Sequence, residues 1–294
     1  MPIWKQLLLT IYYHASYPVR WWNHGRALAE QRVPIVVLYY HRIADDRANP
    51  WTVSQRMFVR QIRWLQRHFE LISLEQAQQQ IRSGGNDRPR ASITFDDGYA
   101  GNCRQALPLL IREKIPCTYF VTLANVLSGK PFAHDLAQGN SFPPNTLEQL
   151  RGMADAGIEI GNHGYTHVDL GAVTDHWRLH YEIVTSGEEL QQALGRPVRY
   201  LAFPLGQYAN LSPQAFEMAY QAGYAAVCSA YGGLNFPGDD PFHLQRIAVD
   251  DDLIGLKNWV TGDPRKLHTP RFVYRHTEPA AQGIEQHSAL LKVD

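Results

Sequence analysis

The sequence predicts an α/β fold of parallel strands joined by helical crossovers. Three observations predict it. Short apolar, β-branched runs recur along the 294 residues. Amphipathic stretches that begin at capping residues alternate with those runs, and glycines close many of the stretches. A repeated strand–helix order of this kind means parallel pairing. It does not separate a barrel from an open doubly wound sheet, although the length suits a single barrel.

The elements follow in order. Residues 34–40 (PIVVLYY) read as a buried strand ending at His41. Ser54 caps a helix whose apolar positions Phe58, Ile62, Leu65 and Phe69 fall at helical spacing. Ser73 and Gln76 form a capping box for a second helix, which Gly84 and Gly85 stop. A strand over 91–95 comes next. The chain then predicts a helix over 102–114, a strand over 117–122, a helix over 146–156 ended by Gly157, and a strand over 158–160 leading to His163. A long helix over 175–194 ends at Gly195 and precedes a strand over 198–203. Ser212 and Pro213 supply an N-cap and a first helical residue. Strands over 224–229 and 246–249 close the series.

Composition narrows the function. The 28 basic and 28 acidic residues give no net charge, which argues against a broad nucleic-acid surface. Hydrophobic residues at 45% and charged residues at 19% describe an ordinary globular chain rather than a disordered one. No Gly-x-Gly-x-x-Gly follows a strand, and there is no Walker-type loop. Cys103, Cys117 and Cys228 are far apart and form no C-x-x-C pair, so they read as reduced core thiols in a cytosolic setting.

No run reaches the ~18 apolar residues of a membrane span, and no small-residue cleavage site is evident. The expected location is cytoplasmic. Residues 1–32 mix Trp4, Trp21 and Trp22 with Lys5, Arg20 and Arg26. That mixture fits peripheral contact with a membrane; a helix packed on the barrel, or on a second copy, is the plainer reading.

The chemistry is concentrated in Ser92-Ile93-Thr94-Phe95-Asp96-Asp97-Gly98-Tyr99. A β-like run stops at two adjacent carboxylates, which repel unless one holds a cation and the other handles a proton. Further on stands His163-Gly164-Tyr165-Thr166-His167. One Asp and two His make a three-ligand set with room for water, as a catalytic zinc site needs. The plain alternatives are a solvated Asp-Gly turn and a surface histidine pair.

These motifs, Thr-Phe-Asp-Asp-Gly with a downstream His-x-x-x-His, resemble those of the metal-dependent polysaccharide deacetylases, the NodB-homology or carbohydrate esterase family 4 domain. The resemblance runs from about Pro34 to about Val249. It implies an irregular (β/α) barrel over residues 33–260, preceded by a helical extension over 1–32 and followed by a polar, loosely packed tail over 261–294.

By the same resemblance Asp97, His163 and His167 hold a divalent metal. Zn2+ is the default, and Co2+, Ni2+ or Fe2+ also suit the ligands. Asp96 is the general base. His41, at a strand end, donates a proton, binds substrate or bonds backbone. Tyr99, Pro204, Leu205 and Tyr208 belong to the sugar pocket.

The third family motif, at 199–206, departs from the common pattern. Ala202 stands where many members have an Arg that orients the base, and Leu205 stands where an aromatic is usual. A subgroup with a Phe-Ala-Tyr-Pro-type segment shares this change. No Leu-x-His matches the usual proton donor. Residues 241–247 (PFHLQRI) resemble that subgroup's late segment, so Arg246 either replaces the missing Arg or makes a structural salt bridge. His134 and Asp135 lie in the long 123–145 connection, a lid or a surface loop.

The implied activity is removal of an N-acetyl group from an amino sugar in a polysaccharide, oligosaccharide or glycan precursor. Deformylation of a lipid-linked amino sugar and a non-catalytic carbohydrate-binding role are the alternatives.

Overall fold

A computed structural model describes residues 3–265, 267 and 269–274. Eight parallel strands form the centre: β1 (Ile35–Tyr40), β2 (Arg90–Phe95), β3 (Cys117–Val121), β4 (Glu159–Asn162), β5 (Tyr200–Ala202), β6 (Ala226–Cys228), β7 (His243–Leu244) and β8 (Ile247–Ala248). Their spatial order is β7-β6-β5-β4-β3-β2-β1-β8, and Glu70–Leu71 adds a short ninth strand against β2.

The two edges, β7 and β8, do not pair with each other. Only Gln245 and Arg246 separate them in sequence. The sheet is therefore curled into a barrel whose last gap is bridged by the chain itself. Asn235 stitches that gap. It exchanges backbone hydrogen bonds with Ile35 at 2.7 and 3.1 Å, and its side chain holds the backbone N–H and C=O of Gln245 at 2.9 Å each. The irregular (β/α) barrel implied by the resemblance is thus an incompletely paired one.

The two-residue period of a strand decides what faces inward. Ile35 and Val37 of β1 pack with Phe120, Tyr200, Ala202, Ala226, Cys228 and Leu244 inside the barrel. Val36, Leu38 and Tyr40 join the larger core beneath the helices. Gly161 of β4 points inward with no room to spare, since a Cβ there would lie 2.4 Å from the Phe120 ring. The helix Leu74–Arg82 plugs the barrel foot with Leu74, Ala77 and Ile81, and its Gln78 accepts from the Tyr200 hydroxyl at 2.9 Å.

Local chemistry explains several helix starts. Ser54, Ser73, Thr146, Asp175 and Ser212 each accept a hydrogen bond from the first turn, and the boxes Ser73/Gln76 and Thr146/Gln149 are complete.

Two expected helices differ from the prediction. The 102–114 helix is two pieces, Asn102–Gln105 and Leu107–Arg112. Pro108 lacks the N–H that would continue the ladder. The long 175–194 helix is α-helical over His176–His180 and Ser186–Leu194 but π-helical over Tyr181–Thr185. A helix Leu253–Val260, capped by Asp252, was not expected.

Residues 3–32 form two helices, Ile3–Ala15 and Tyr17–Ala29. The first lies against Leu253–Val260. The stretch after Thr261 is not uniformly loose. Phe272 stacks on Phe216, and Tyr274 packs against the same ring. The rest of the expected tail, from residue 275 on, lies outside the described residues. No helix among the described residues is long and apolar enough to cross a membrane. The three cysteines are free, with Cys117 and Cys228 buried.

Candidate active site

The inward period continues past the strand ends. Val37–Tyr39–His41, Ser92–Thr94–Asp96, Gly161–His163 and Leu244–Arg246 each keep one side facing the barrel axis. The chemistry therefore collects at the C-terminal ends of the strands, as in barrel enzymes generally. A cleft of about 760 Å³ opens there; its walls include His41, Asp96, Asp97, His163, His167 and Leu205.

Asp96 and Asp97 follow β2 through a tight turn. Asp96 N–H donates to the Tyr40 carbonyl and Gly98 N–H to the Asp96 carbonyl, both at 2.9 Å. The turn drives Asp97 into the left-handed region at φ 72°. His167 (φ 59°) and Leu205 (φ 62°) share that conformation, so three of the five positive-φ residues other than glycine among the described residues lie at this cleft. Each costs on the order of 1 kcal/mol, which the surrounding contacts must offset.

Asp97 Oδ1 is 3.5 Å from His163 Nε2 and 3.2 Å from His167 Nε2. These are the edges expected of a tetrahedron with arms of roughly 2.0–2.1 Å, the length of zinc–nitrogen and zinc–oxygen bonds. Asp97 Oδ1 is buried and has no hydrogen-bond partner. An orphaned buried oxygen of that kind asks for a cation. His163 uses Nδ1 against the Ala202 carbonyl at 2.9 Å, which turns Nε2 towards Asp97. Asp97, His163 and His167 are the cluster among the described residues with the spacing of a metal site.

Glu182 holds the loop that carries His167. It sits in the π-helical turn and is fully buried. It accepts from Tyr165 N–H at 2.9 Å, Thr166 N–H at 2.8 Å and the Thr166 hydroxyl at 2.6 Å, and it pairs with Arg178 at 2.8 Å. The π turn that carries this carboxylate is a form frequent at functional sites.

Asp96 faces Arg246. The guanidinium donates to both Asp96 oxygens at 2.6 and 2.8 Å, to Thr94 Oγ1 at 3.1 Å and to the Ser229 carbonyl at 3.0 Å. It lies over the rings of Tyr39 and Phe120. Burial, the largest single effect, would raise the Asp96 carboxyl; the charge and hydrogen bonds of Arg246, with His163 and His41, together outweigh it and hold the group below the ordinary value. Burial pushes the His41 imidazole below its ordinary value, against the pull of Asp97 and Asp96.

Residues 83–227 match the family described as polysaccharide deacetylase. YxkH of Bacillus subtilis (strain 168), provisionally named a polysaccharide deacetylase, is 23% identical over 228 residues, 77% of this chain and 75% of that protein. The chitooligosaccharide deacetylase of Bradyrhizobium sp. (strain ANU 289) is 26% identical over 137 residues, 46% of this chain and 53% of that one.

Residues 83–227 belong to the polysaccharide deacetylase family.

Two solved structures show the same fold. The Streptococcus pyogenes deacetylase PplD aligns with a TM-score of 0.65 at 20% identity, covering 78% of this chain and 98% of that one. IcaB from Ammonifex degensii aligns at 0.64 and 24% identity, covering 78% and 97%. Within this barrel, Asp96, Asp97, His163, His167, His41 and Leu205 meet at one cleft.

Other expected site residues fall elsewhere. Arg246 lies behind Asp96 and is fully buried, so it meets the cleft only through that carboxylate. Tyr99 is 1% exposed; its hydroxyl donates to Asp135 at 2.7 Å, and its ring packs on Phe132 and Phe142. It supports the cleft wall from behind. Pro204 abuts Gly164 and so backs the histidine loop. Tyr208 turns to Tyr231 and Phe272.

His134, from the 123–145 connection, does reach the cleft. Its ring stacks on Phe132 and lies 5.6 Å from that of His167. Trp51, not singled out from sequence, lies in a T-shaped contact 5.3 Å from His134 and is 40% exposed at the cleft. His243 does not supply the missing Leu-x-His, because it is buried outside the cleft against Ser229 and Phe216.

Proposed function

We propose that this chain is a metal-dependent hydrolase that removes an N-acetyl group from an amino sugar of a glycan. The observation that carries the reading is the meeting of a paired carboxylate, Asp96, with an orphaned one, Asp97, beside two histidines in one cleft. Asp97, His163 and His167 would hold a divalent ion, with Zn2+ favoured by the donor set and the near-tetrahedral spacing. Such an ion supplies Lewis acidity towards an amide carbonyl and a water.

The chain's own residues divide the remaining work. Asp96 accepts the proton of the attacking water. It is ionised across the neutral range because Arg246 keeps it so, and its two oxygens are held in one plane by the guanidinium fork. Arg246 is a positioning residue, since it touches Asp96 and not the cleft. It takes the place left by Ala202 in the third motif. His41 lines the same cleft as Asp96, placed to hydrogen-bond the scissile amide and to relay to the departing amine the proton that Asp96 takes from the water. Trp51, exposed at the cleft, offers a flat apolar face for a sugar ring. Leu205, pushed outward by its left-handed backbone, borders the acyl pocket.

The test is acetate release from N-acetylated amino-sugar oligomers, nucleotide sugars and lipid-linked saccharides, with formate measured alongside. The expected result is acetate release that chelator abolishes and zinc restores. Release of formate alone would point to the deformylase reading. No release of either acid from any substrate, with stoichiometric metal bound, would favour a binding role instead.

A further inference from the structure

The helical hairpin before the barrel is amphipathic the wrong way round. In the helix Ile3–Ala15, residues Ile3, Trp4, Leu7, Leu8 and Ile11 recur as one stripe and are 55–85% exposed. The opposite side meets the protein through polar groups. The Tyr12 hydroxyl donates to Asp263 at 2.7 Å, and the Leu9 carbonyl accepts from Asn258 at 3.2 Å. In the helix Tyr17–Ala29 the buried Arg20 binds the Asn258 carbonyl and side chain and the Thr261 hydroxyl, while Tyr17, Trp21 and Trp22 are 57–69% exposed. Isolated exposed apolar residues need no explanation; a continuous stripe of five beside three aromatics does.

Charge and length choose the occupant. Residues 1–29 contain Lys5, Arg20 and Arg26 and no Asp or Glu. Lys5 and Arg26 are exposed; Arg26 pairs with Glu30 at 2.7 Å, so Lys5 carries the charge. Indole and phenol rings beside cations suit the headgroup level of a bilayer. A helix of 13 residues is about 20 Å long, short of the roughly 30 Å hydrocarbon core. It is built to lie in the interface, not to cross it. We propose that this hairpin docks the protein on an anionic lipid surface, with the stripe Ile3–Ile11 facing the acyl boundary. The hairpin lies at the barrel foot, beside Pro34 and Pro89 at the strand beginnings, so docking leaves the cleft open at the other end.

The test is co-sedimentation of the full chain with vesicles of phosphatidylcholine alone or with added phosphatidylglycerol, comparing wild type with Leu7→Glu/Leu8→Glu. Wild type is expected to pellet with the anionic vesicles. The double variant should partition at least about tenfold more weakly, since it loses apolar contact and adds repelled charge. Lys5→Gln should weaken binding to the anionic vesicles by roughly fivefold. All three sites are exposed, so the thermal melts should match wild type and separate docking from folding. The readout does not depend on deacetylase activity. Failure of wild type to pellet, or equal pelleting of wild type and the double variant, would overturn the proposal. So would a concentration-dependent dimer, abolished by the same variant, without vesicle binding.

Discussion

Arg246→Met removes the charge behind Asp96 while keeping an unbranched apolar stem among Tyr39 and Phe120. Arg246 is fully buried and donates two hydrogen bonds to Asp96. Taking away one partner of such a pair leaves a buried charge uncompensated, at a cost of about 3–5 kcal/mol. In a chain of this size that is a fall in Tm of roughly 6–15 °C. The protonation of Asp96 shifts as well. Burial raises its pKa, and Arg246 together with His163 and His41 more than reverses this, so the folded value lies below the unfolded one. A carboxyl of that kind stabilises the fold fully above its unfolded pKa of about 4, and the contribution is lost as pH falls through the folded value.

Without Arg246, burial dominates and Asp96 takes up its proton at higher pH. The acid limb of kcat/KM should move upward. The double variant Asp96→Asn/Arg246→Met removes both charges and should regain about 2–3 kcal/mol relative to the sum of the singles. Urea unfolding near neutral pH and a pH profile of acetate release measure the two effects. If Arg246→Met unfolded within about 1 kcal/mol of wild type and kept the same acid limb, the reasoning would be refuted.

Glu182→Gln should weaken zinc affinity by roughly 10–100-fold, measured by chelator competition, because the carboxylate that anchors the Tyr165–Thr166 backbone loses its charge. Equal affinity would reduce Glu182 to a packing role. His243 is buried, and burial, then Arg271, pushes it down to about 3. Below about pH 6.5 the unfolded chain binds a proton that the folded chain refuses, so stability falls with pH towards the folded value at up to about 1.4 kcal/mol per unit. His243→Gln should flatten that slope in unfolding measured from neutral pH to about pH 4; an unchanged slope would remove His243 from the acid response.

Legibility in the sequence followed the range of the interactions. Ser54, Ser73 and Ser212 announce their helices because a cap acts within three residues. β1 and β2 are legible because long apolar runs suit strands buried on both faces. β7 and β8 are two residues each; they are strands only because β6 and β1 pair with them. The break at Pro108 carried a local signal that the apolar period outweighed, whereas the π turn at Tyr181–Thr185 has no comparable signal.

The candidate site divides the same way. The Asp96–Asp97 pair and the His163/His167 pair stand out as short motifs. Trp51, His134 and Glu182 come from three separate segments, and only folding brings them to the cleft or to the histidine loop. Tyr99 shows the converse. It sits inside the motif, yet the Asn145 N–H to Gly98 carbonyl bond and the Phe132–Phe142 pair bury it.

The most direct test of the central claim compares Asp96→Asn with Asp97→Asn, measuring bound zinc and acetate release on the same samples. The account predicts that Asp96→Asn keeps one equivalent of zinc and loses roughly 10²–10⁴-fold in turnover, while Asp97→Asn loses the zinc itself. Zinc retained by Asp97→Asn, or turnover retained by Asp96→Asn, would contradict it.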